Sequence, residues 1–324
     1  MAKNVLFSVS AGSLGHVLRM IALDQILLKS NIKTYWILDG YYSNYLKGYV
    51  NYIDIIPFFK HKGKVRDSRS LAELFWRKGH DILTVEILKQ RIKQLLIKYK
   101  IELVINDIIL ATALASYELS IPCINVINDA QFSICQNNYY EDLGIYEDIA
   151  EFLSKKPFIH AIPSIKEWYF INNSKDPKDA IFLGWLYPNR DIGFFSPYNS
   201  NQQQIQLFGK QINSKDFRKD IYFMGDVLAK TKYIIHNSGL NTCLTALAFK
   251  TYSFLVPQTW EQEINANKMV SIGAGELYTI ANTTSCHELK TLSNEADELS
   301  NLLLNSRIDH LVKSIINSNF SKNI

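Results

Sequence analysis

A chain of 324 residues is longer than most single domains, and two domains of ordinary size account for it better than one. Hydrophobic residues make up 47% of the chain and charged residues 20%, a globular composition that argues against a chain disordered throughout. The formal net charge of +4 is too small to predict binding to nucleic acid, but it suits an anionic ligand or a peripheral contact with a membrane.

The cysteines and the N-terminus indicate a cytoplasmic protein. The four cysteines lie far apart, without the paired spacing of a zinc site, which predicts reduced thiols. They are Cys123, Cys135, Cys243 and Cys286. The apolar run near the N-terminus is too short for a signal peptide, and no run of about 18 apolar residues predicts a transmembrane helix.

Strand and helix patterns alternate along the first half of the chain. Residues 4–9 predict a strand, the loop SAGSLGH follows, and residues 17–28 then place apolar side chains at helical spacing. Further strands are predicted in KTYWILDG, IELVINDI, IPCINVIN, PFIHAIPS and AIFLGWLYP, and further helices within residues 67–100 and in ATALASYELS. Strands separated by helices of about 10–15 residues predict parallel βαβ units in a doubly wound α/β sheet.

A stretch rich in Pro, Asn, Gln and Gly at residues 187–204 predicts a linker between domains. The first domain would then span residues 1–186 and the second residues 205–324. The second domain repeats the alternation in IQLFG, DIYFMG, KYIIHN and YSFLVP, and it ends in an amphipathic helix expected to pack back toward the first domain. Ligands of such sheets bind at the loops beyond the carboxyl ends of the strands.

One of these loops, the turn NSGLNT at residues 237–242, has the composition of an anion site. Backbone N–H groups and the helix dipole at a helix N-terminus favour a negative charge. Gly239 would let a phosphate approach the backbone, and Ser238, Asn241 and Thr242 could add donors. The same residue types are common helix caps, so the turn alone leaves both interpretations open.

The segment VPQTWEQEINANK extends this interpretation to the next βα unit. Glu261 and Gln262 follow a predicted strand end, where a carboxylate and an amide can exchange hydrogen bonds with sugar hydroxyls. A diphosphate held by the first turn and a sugar held by the second would together form a nucleotide-sugar site.

The run from NSGLNT to INANKMVSIGAGE resembles the donor-binding signature of GT-B glycosyltransferases, which include the family-1 nucleotide-sugar transferases and the lipid-linked GlcNAc transferases of cell-wall synthesis. Their pattern is roughly H-x-G-x-x-[ST]-x-x-E-A-L, a short strand ending in Pro, and then [DE]-Q-x-x-N-A. The matching residues are Gly239, Thr242, Pro257, Glu261, Gln262, Asn265 and Ala266. SLGHVLRMIAL and LVINDIILATALASYELSIP are similar to acceptor-domain segments of the same families. The resemblance implies two Rossmann-like doubly wound domains that face each other across a cleft.

The sequence departs from this pattern at two positions. Asn237 stands where the families usually have a phosphate-contacting His, with His236 one place early, and Thr245 stands where they often have a ribose-binding Glu. The second domain also looks shortened. We therefore expect weak donor affinity, or a protein partner or second copy of the chain that completes this domain.

His16 is the candidate general base, because a neutral imidazole can take the proton of an acceptor hydroxyl. Asp107, at the end of a predicted strand, stands where the resembling families carry the carboxylate that orients this base. As alternatives, His16 bonds the backbone at a helix start and Asp107 caps the next helix. Arg19 is interpreted as a structural salt-bridge or packing residue, and no Asp-x-Asp pair predicts a metal ion for the diphosphate.

The sequence therefore predicts a metal-independent, inverting glycosyltransferase. Its donor would be a UDP- or dTDP-linked sugar, with no other cofactor, and its acceptor a hydroxyl or amine of a small or lipid-linked molecule. Asn237 is included with the donor-binding residues of the turn. Two alternatives remain: a nucleotide-sugar hydrolase of the same fold, with water as acceptor, and a non-catalytic auxiliary protein.

Overall fold

A computed structural model describes most of the elements that the sequence predicts. The described residues are 4–9, 14–39, 46, 50–56, 82–107, 109–127, 158–171, 180–186, 205–207, 228, 232–278 and 291–305. The predicted linker at 187–204, the DIYFMG segment, residues 67–81, Cys135 and Cys286 lie outside them. The domain boundary therefore stays a prediction.

The described strands number eleven and the described helices seven. The strands are β1 (Asn4–Val9), β2 (Lys33–Asp39), β3 (Tyr52–Ile56), β4 (Leu103–Asp107), β5 (Cys123–Val126), β6 (Phe158–Ile162), β7 (Ala180–Phe182), β8 (Ile205–Leu207), β9 (Tyr233–His236), β10 (Tyr252–Leu255) and β11 (Gly275–Leu277). The helices are α1 (Leu14–Lys29), α2 (Ile82–Lys98), α3 (Leu110–Glu118), α4 (Lys166–Phe170), α5 (Leu240–Ala248), α6 (Trp260–Ser271) and α7 (Asn294–Asn305).

The first sheet has seven strands in the order β3-β2-β1-β4-β5-β6-β7, and all of its neighbours pair in parallel. Buried parallel strands require apolar runs. The first strand meets this requirement, since Val5, Leu6, Phe7 and Val9 are fully buried. The ring of Phe7 stacks on Trp36 of the neighbouring strand, with 4.9 Å between the ring centroids. The strand order reverses between β1 and β4, which makes their carboxyl ends the switch point of a doubly wound fold.

The second sheet has four described strands in the order β11-β10-β9-β8, also parallel. Helix α7 packs on helix α5, where the Ser300 hydroxyl donates to the Ala248 carbonyl at 3.4 Å. Next to this contact, Lys250, which follows α5, forms an exposed ion pair at 2.6 Å with Asp297 of α7. The end of the predicted C-terminal helix, beyond residue 305, is not among the described residues, so its packing toward the first domain stays a prediction.

The described residues group into two compact units, the first built on the seven-stranded sheet and the second on the four-stranded sheet. Helix α4 groups with the second unit although it lies in the chain between β6 and β7. The ammonium of Lys268, on α6, is only 1% exposed and donates to the carbonyls of Trp168 and Tyr169 at 3.0 and 3.4 Å. This contact fastens α4 within the second unit, whereas the prediction placed it in the first domain.

Three elements, β3, β11 and α4, were not predicted from the sequence. Strand β3 was missed because Asp54 interrupts its apolar run, and β11 because only three residues of it pair. Helix α4 was too short, at five residues, for a helical period to show. The other described strands and helices α1, α2, α3 and α5 lie where the patterns predicted them.

Candidate active site

His16 and Asp107 come from the two sides of the switch point in the first sheet. His16 lies in the first turn of α1, which follows β1, and Asp107 is the last residue of β4. The two strands pair directly, with Val9 opposite Asp107. The parallel pairing therefore brings a residue from the first loop next to a residue 91 positions later in the chain.

The imidazole of His16 contacts the carboxylate of Asp107 through Nδ1, which lies 2.8 Å from both carboxylate oxygens. An ionised carboxylate only accepts hydrogen bonds, so Nδ1 carries the proton in this contact. The lone pair of the neutral ring is then on Nε2, which is the form that can accept a proton from a substrate. His16 is 8% exposed and Asp107 is fully buried.

Arg19, one turn further along α1 and 4% exposed, completes the cluster. Its guanidinium donates to Oδ1 of Asp107, and Nη2 also lies 2.8 Å from Nδ1 of His16. Burial alone would raise the pKa of Asp107, but the positive charge of Arg19 and the hydrogen bonds from His16 and Arg19 outweigh burial and lower this pKa to about 2. Asp107 is therefore ionised at neutral pH, as an acceptor of the Nδ1 proton must be.

The alternative interpretation of Asp107, as the cap of the next helix, is wrong. The N-cap of α3 is Ile109, without a side-chain cap, so Asp107 does not cap that helix. Instead the side chain of Asn106 accepts a hydrogen bond from the backbone N–H of Ile109 at 3.2 Å. The ring of His16 donates from Nδ1 to the Asp107 carboxylate, while its alternative role at the helix start stays a prediction.

In the second unit, the turn before α5 leaves the helix N-terminus without a side-chain cap. The N-cap is Gly239, not one of the hydroxyl or amide residues around it. The alternative in which Ser, Thr or Asn caps this helix is therefore wrong. Because the first N–H groups of a helix have no partner within the helix, this end is available to an anion.

Gly239 itself is not required by the fold. Its φ of −62° is open to any residue, and a Cβ built on it would meet within 4 Å only Asn237 Oδ1, at 3.8 Å, in the described surroundings. Gly275 is the contrasting case, since a Cβ there would lie 2.5 Å from the Ser253 carbonyl of the paired strand. The space beside Gly239 is what a closely approaching phosphate would need.

Ser238 has a backbone φ of +62°, in the left-handed region that residues with a Cβ seldom adopt. Its N–H donates to Nδ1 of His236 at 3.1 Å, and its carbonyl accepts from Nδ2 of Asn265 at 3.1 Å. All three residues are fully buried. Burial lowers the pKa of His236 to about 3, so its ring is neutral and its unprotonated Nδ1 can accept.

Gln262, predicted to contact a sugar, takes part in capping α6. Thr259 is the N-cap and accepts from the backbone N–H of Gln262 at 3.3 Å, while Oε1 of Gln262 accepts from the N–H of Gln258 at 2.8 Å. This reciprocal arrangement is close to a capping box. It leaves the amide NH₂ as the part of Gln262 suited to a sugar hydroxyl. Glu261 lies beside it in the same first turn, half-buried.

The remaining residues of the turn are half-buried: Asn237, Asn241 and Thr242. Thr245, where the families often have a ribose-binding Glu, is fully buried and donates to the Asn241 carbonyl within the helix at 2.6 Å. The residues predicted for the diphosphate thus lie together in one turn, whereas the Thr245 hydroxyl bonds the backbone of its own helix.

The sequence analysis did not assign roles to Asn265 or His236, and it gave Arg19 a structural role only. Arg19 could have been found from its position three residues after His16, which places both on one face of α1. Asn265 matches the GT-B signature, and it is a polar residue on the buried face of a helix that is apolar at Ala266 and Met269, but neither signal predicted its contact with Ser238. His236 ends an apolar strand, where burial of its ring was predictable.

The described part of the chain holds neither a candidate membrane span nor a candidate metal cluster. No helix there is long and apolar enough to cross a membrane. No three His, Cys, Asp or Glu side chains there are grouped so that they could hold a metal ion. Cys123 and Cys243 are buried free thiols.

No protein-family model matches the sequence, and no curated protein matches it by sequence. Solved structures do match. The SsfS6 glycosyltransferase of Streptomyces sp. SF2575 aligns over 97% of this chain and 99% of its own, with a TM-score of 0.71 at 14% identity. SnogD, a glycosyltransferase from Streptomyces nogalater, aligns over 98% and 99%, with a TM-score of 0.69 at 13% identity. SsfS6 complexed with thymidine diphosphate aligns over 98% and 100%, with a TM-score of 0.68 at 14% identity. The fold implied by the sequence motifs is confirmed: the chain has the GT-B glycosyltransferase fold.

Proposed function

We propose that the chain is an inverting glycosyltransferase that moves a sugar from a nucleoside-diphosphate sugar to an acceptor hydroxyl or amine, with His16 as the general base. The observation that carries this proposal is the 2.8 Å contact between Nδ1 of His16 and the buried, ionised carboxylate of Asp107. The contact selects the ring tautomer with a basic Nε2 and stabilises the imidazolium that forms when Nε2 takes a proton.

The chemistry is a single displacement. Nε2 of His16 accepts the proton of the acceptor group. At the same time the oxygen or nitrogen of the acceptor attacks the anomeric carbon from the face opposite the diphosphate. The bond between that carbon and the diphosphate oxygen breaks, and its electron pair leaves with the diphosphate. One displacement inverts the configuration of the anomeric carbon. Asp107 stays ionised throughout.

The turn before α5 is the proposed diphosphate site. Its uncapped N–H groups and the dipole of α5 would stabilise the charge that develops on the leaving diphosphate. The space beside Gly239 admits a phosphate, Ser238, Asn241 and Thr242 line the turn, and Asn237 precedes it. Thymidine diphosphate bound to SsfS6 supports a thymidine- or uridine-linked donor. We propose that no metal ion assists.

Glu261 and Gln262 are proposed to hold the donor sugar. Both lie in the first turn of α6, one βα unit after the diphosphate turn. The acceptor is proposed to be a small or lipid-linked molecule in the cytoplasm, reached through a peripheral membrane contact if lipid-linked. A partner protein or second copy would complete the donor domain if the lone chain binds donor weakly.

The test is product detection with dTDP- and UDP-linked sugars and a panel of acceptor hydroxyls and amines. We expect a glycosylated product whose anomeric configuration, measured by NMR, is opposite to that of the donor. The same assay is applied to His16→Ala, which removes the proposed base. Its matched control is Thr112→Val, which removes a buried hydroxyl of the same unit. A product with retained configuration would refute the single displacement.

The same assay separates the two alternatives. A nucleotide-sugar hydrolase would release free sugar and nucleoside diphosphate without an acceptor, at a rate that depends on His16. An auxiliary protein would do neither, even though it bound nucleotide. The observation that favours the auxiliary alternative is Thr245, which stands where the families often have a ribose-binding Glu and which donates to the Asn241 carbonyl within α5.

A further inference from the structure

The conformation of Ser238 needs an explanation that the local sequence does not supply. Four other non-glycine residues in the described ranges have positive φ: Asn31, Lys100, Ser120 and Lys250. Each lies two residues after the end of a helix, where a left-handed residue commonly terminates the helix. Ser238, in contrast, precedes a helix, so helix termination does not account for its φ of +62°.

Both backbone polar groups of Ser238 are held by buried side chains. Nδ1 of His236 accepts a hydrogen bond from the N–H of Ser238, and Nδ2 of Asn265 donates to the Ser238 carbonyl, each at 3.1 Å. An unpaired polar group in a buried site is costly. Rotation of Ser238 into an ordinary conformation would break both bonds, so the two side chains act together as a clamp on this residue.

The clamp connects the two parts of the proposed donor site. Asn265 lies on α6, which also carries Glu261 and Gln262 in its first turn. His236 ends β9, the strand that leads into the diphosphate turn. Gly239, directly after Ser238, starts α5. The peptide that the clamp fixes is therefore the one that sets the direction of the chain as it enters the helix.

We propose that Asn265 and His236 are positioning residues that hold Ser238 in the left-handed conformation and thereby keep the N–H groups at the start of α5 arranged for a diphosphate. This inference rests on the proposed donor site. Neither residue needs to touch the ligand. Glycine adopts positive φ freely, so it would dispense with the clamp at this position.

The test is a double-mutant cycle of Asn265→Ala and Ser238→Gly, read by thermal unfolding and by calorimetry with thymidine diphosphate and uridine diphosphate. Asn265→Ala should lower Tm by about 3–8 °C, because it leaves a buried carbonyl unpaired and removes a bond that offsets the cost of the positive φ of Ser238; glycine relieves the second of these two costs. Asn265→Ala should weaken nucleotide binding about tenfold. Ser238→Gly alone should lower nucleotide affinity about two- to tenfold, because it removes a hydroxyl proposed to donate to the diphosphate, and it should change Tm little. With Ser238→Gly present, Asn265→Ala should cost less than about threefold in binding and clearly fewer degrees in Tm.

Lys250→Gly is the matched control, since it places a glycine at another positive-φ position, at the far end of α5. It should not rescue Asn265→Ala. Equal losses with and without Ser238→Gly would show that Asn265 only packs, and would overturn the clamp. If Asn265→Ala does not fold, Asn265→Leu keeps the shape without the donor and replaces it in the cycle.

The two proposals fail in different ways. If the unaltered protein binds neither nucleotide, the donor site is refuted, and so is the positioning of the clamp for it. The Tm part of the cycle would still show whether the side chains hold Ser238. If nucleotide binds but the cycle shows no coupling in Tm or binding, the donor site stands and the clamp is wrong.

Discussion

Nδ1 of His16 lies 2.8 Å from the carboxylate of Asp107, a contact that joins the start of α1 to the end of β4. If Nε2 of this ring removes the acceptor proton, His16→Ala should reduce turnover by about 10²–10⁴-fold, the usual loss of a general base. Steady-state kinetics with saturating donor would measure this. Nucleotide affinity should not change, because the proposed donor site is in the other unit. Unchanged turnover would remove the base assignment.

Asp107→Asn should reduce turnover by a similar factor, about 10²–10⁴-fold, for a different reason. The guanidinium of Arg19 donates to Oδ1 of Asp107 and would keep a carbonyl oxygen facing it. The NH₂ of the new amide would then face Nδ1 of His16 and favour the tautomer with the proton on Nε2. Nitrogen NMR shifts of the ring report the tautomer directly. A variant with the proton still on Nδ1 would contradict this explanation.

Gly239→Val should weaken nucleotide binding by more than tenfold, because its side chain would occupy the space that a phosphate needs. Tm should change little, since a Cβ at this position makes no close contact in the described surroundings. Thr242→Ala should weaken binding by about 0.5–1.5 kcal/mol, the net value of one hydrogen bond. Isothermal calorimetry measures both. Binding that survives Gly239→Val would place the diphosphate elsewhere.

His236 predicts a loss of stability in acid. Its pKa is about 3 in the folded protein against 6.5 for the free side chain, so the folded state binds fewer protons between these values. Stability from this group is therefore full above pH 6.5 and falls as pH decreases, by up to about 1.4 kcal/mol per pH unit. Urea unfolding at pH 7.5 and pH 5 should show about 2 kcal/mol more loss in the original protein than in His236→Gln. Equal losses in both would show that the ring titrates normally.

The buried carboxyl of Asp24 should make stability depend on pH in the opposite direction. Burial on α1, partly offset by the side chains of Thr34 and Trp36, raises the pKa of its carboxyl to about 6 from 3.8. The folded state holds a proton that the unfolded state loses, so stability falls as pH rises from 3.8 through 6. Asp24→Asn should be more stable by about 1–3 kcal/mol at pH 7.5. The gain should disappear at pH 4, and a gain that persists there would come from packing instead.

The sequence was sufficient where local pattern decides the structure. Apolar strands such as β1 and β4, separated by helices of amphipathic period, specify a parallel sheet, and parallel pairing then places His16 near Asp107. The resemblance to GT-B motifs led to the fold that the structural comparisons show. These inferences needed only residues close in sequence and one general rule about strand ends.

The conformation of Ser238 and the position of Arg19 depend on contacts between residues far apart in the chain, so the sequence did not predict them. A serine is an unfavourable choice for positive φ, so nothing local predicts the conformation of Ser238. It depends on Asn265, 27 residues later. The position of Arg19 between His16 and Asp107 likewise depends on the pairing of β1 with β4, which sets the depth at which the carboxylate is buried.

The hydrogen bonds from Lys268 to the carbonyls of Trp168 and Tyr169 limit where the chain can be cut to express the second unit alone. A fragment that begins at residue 205 would contain the four described strands of the second sheet but would lack α4. The ammonium of Lys268 would lose the two backbone acceptors that the described structure gives it, as well as the ring of Trp168, whose centroid lies 5.5 Å away. Expressed alone, such a fragment would lack these contacts of Lys268, whereas co-expression with residues 1–204 would restore them.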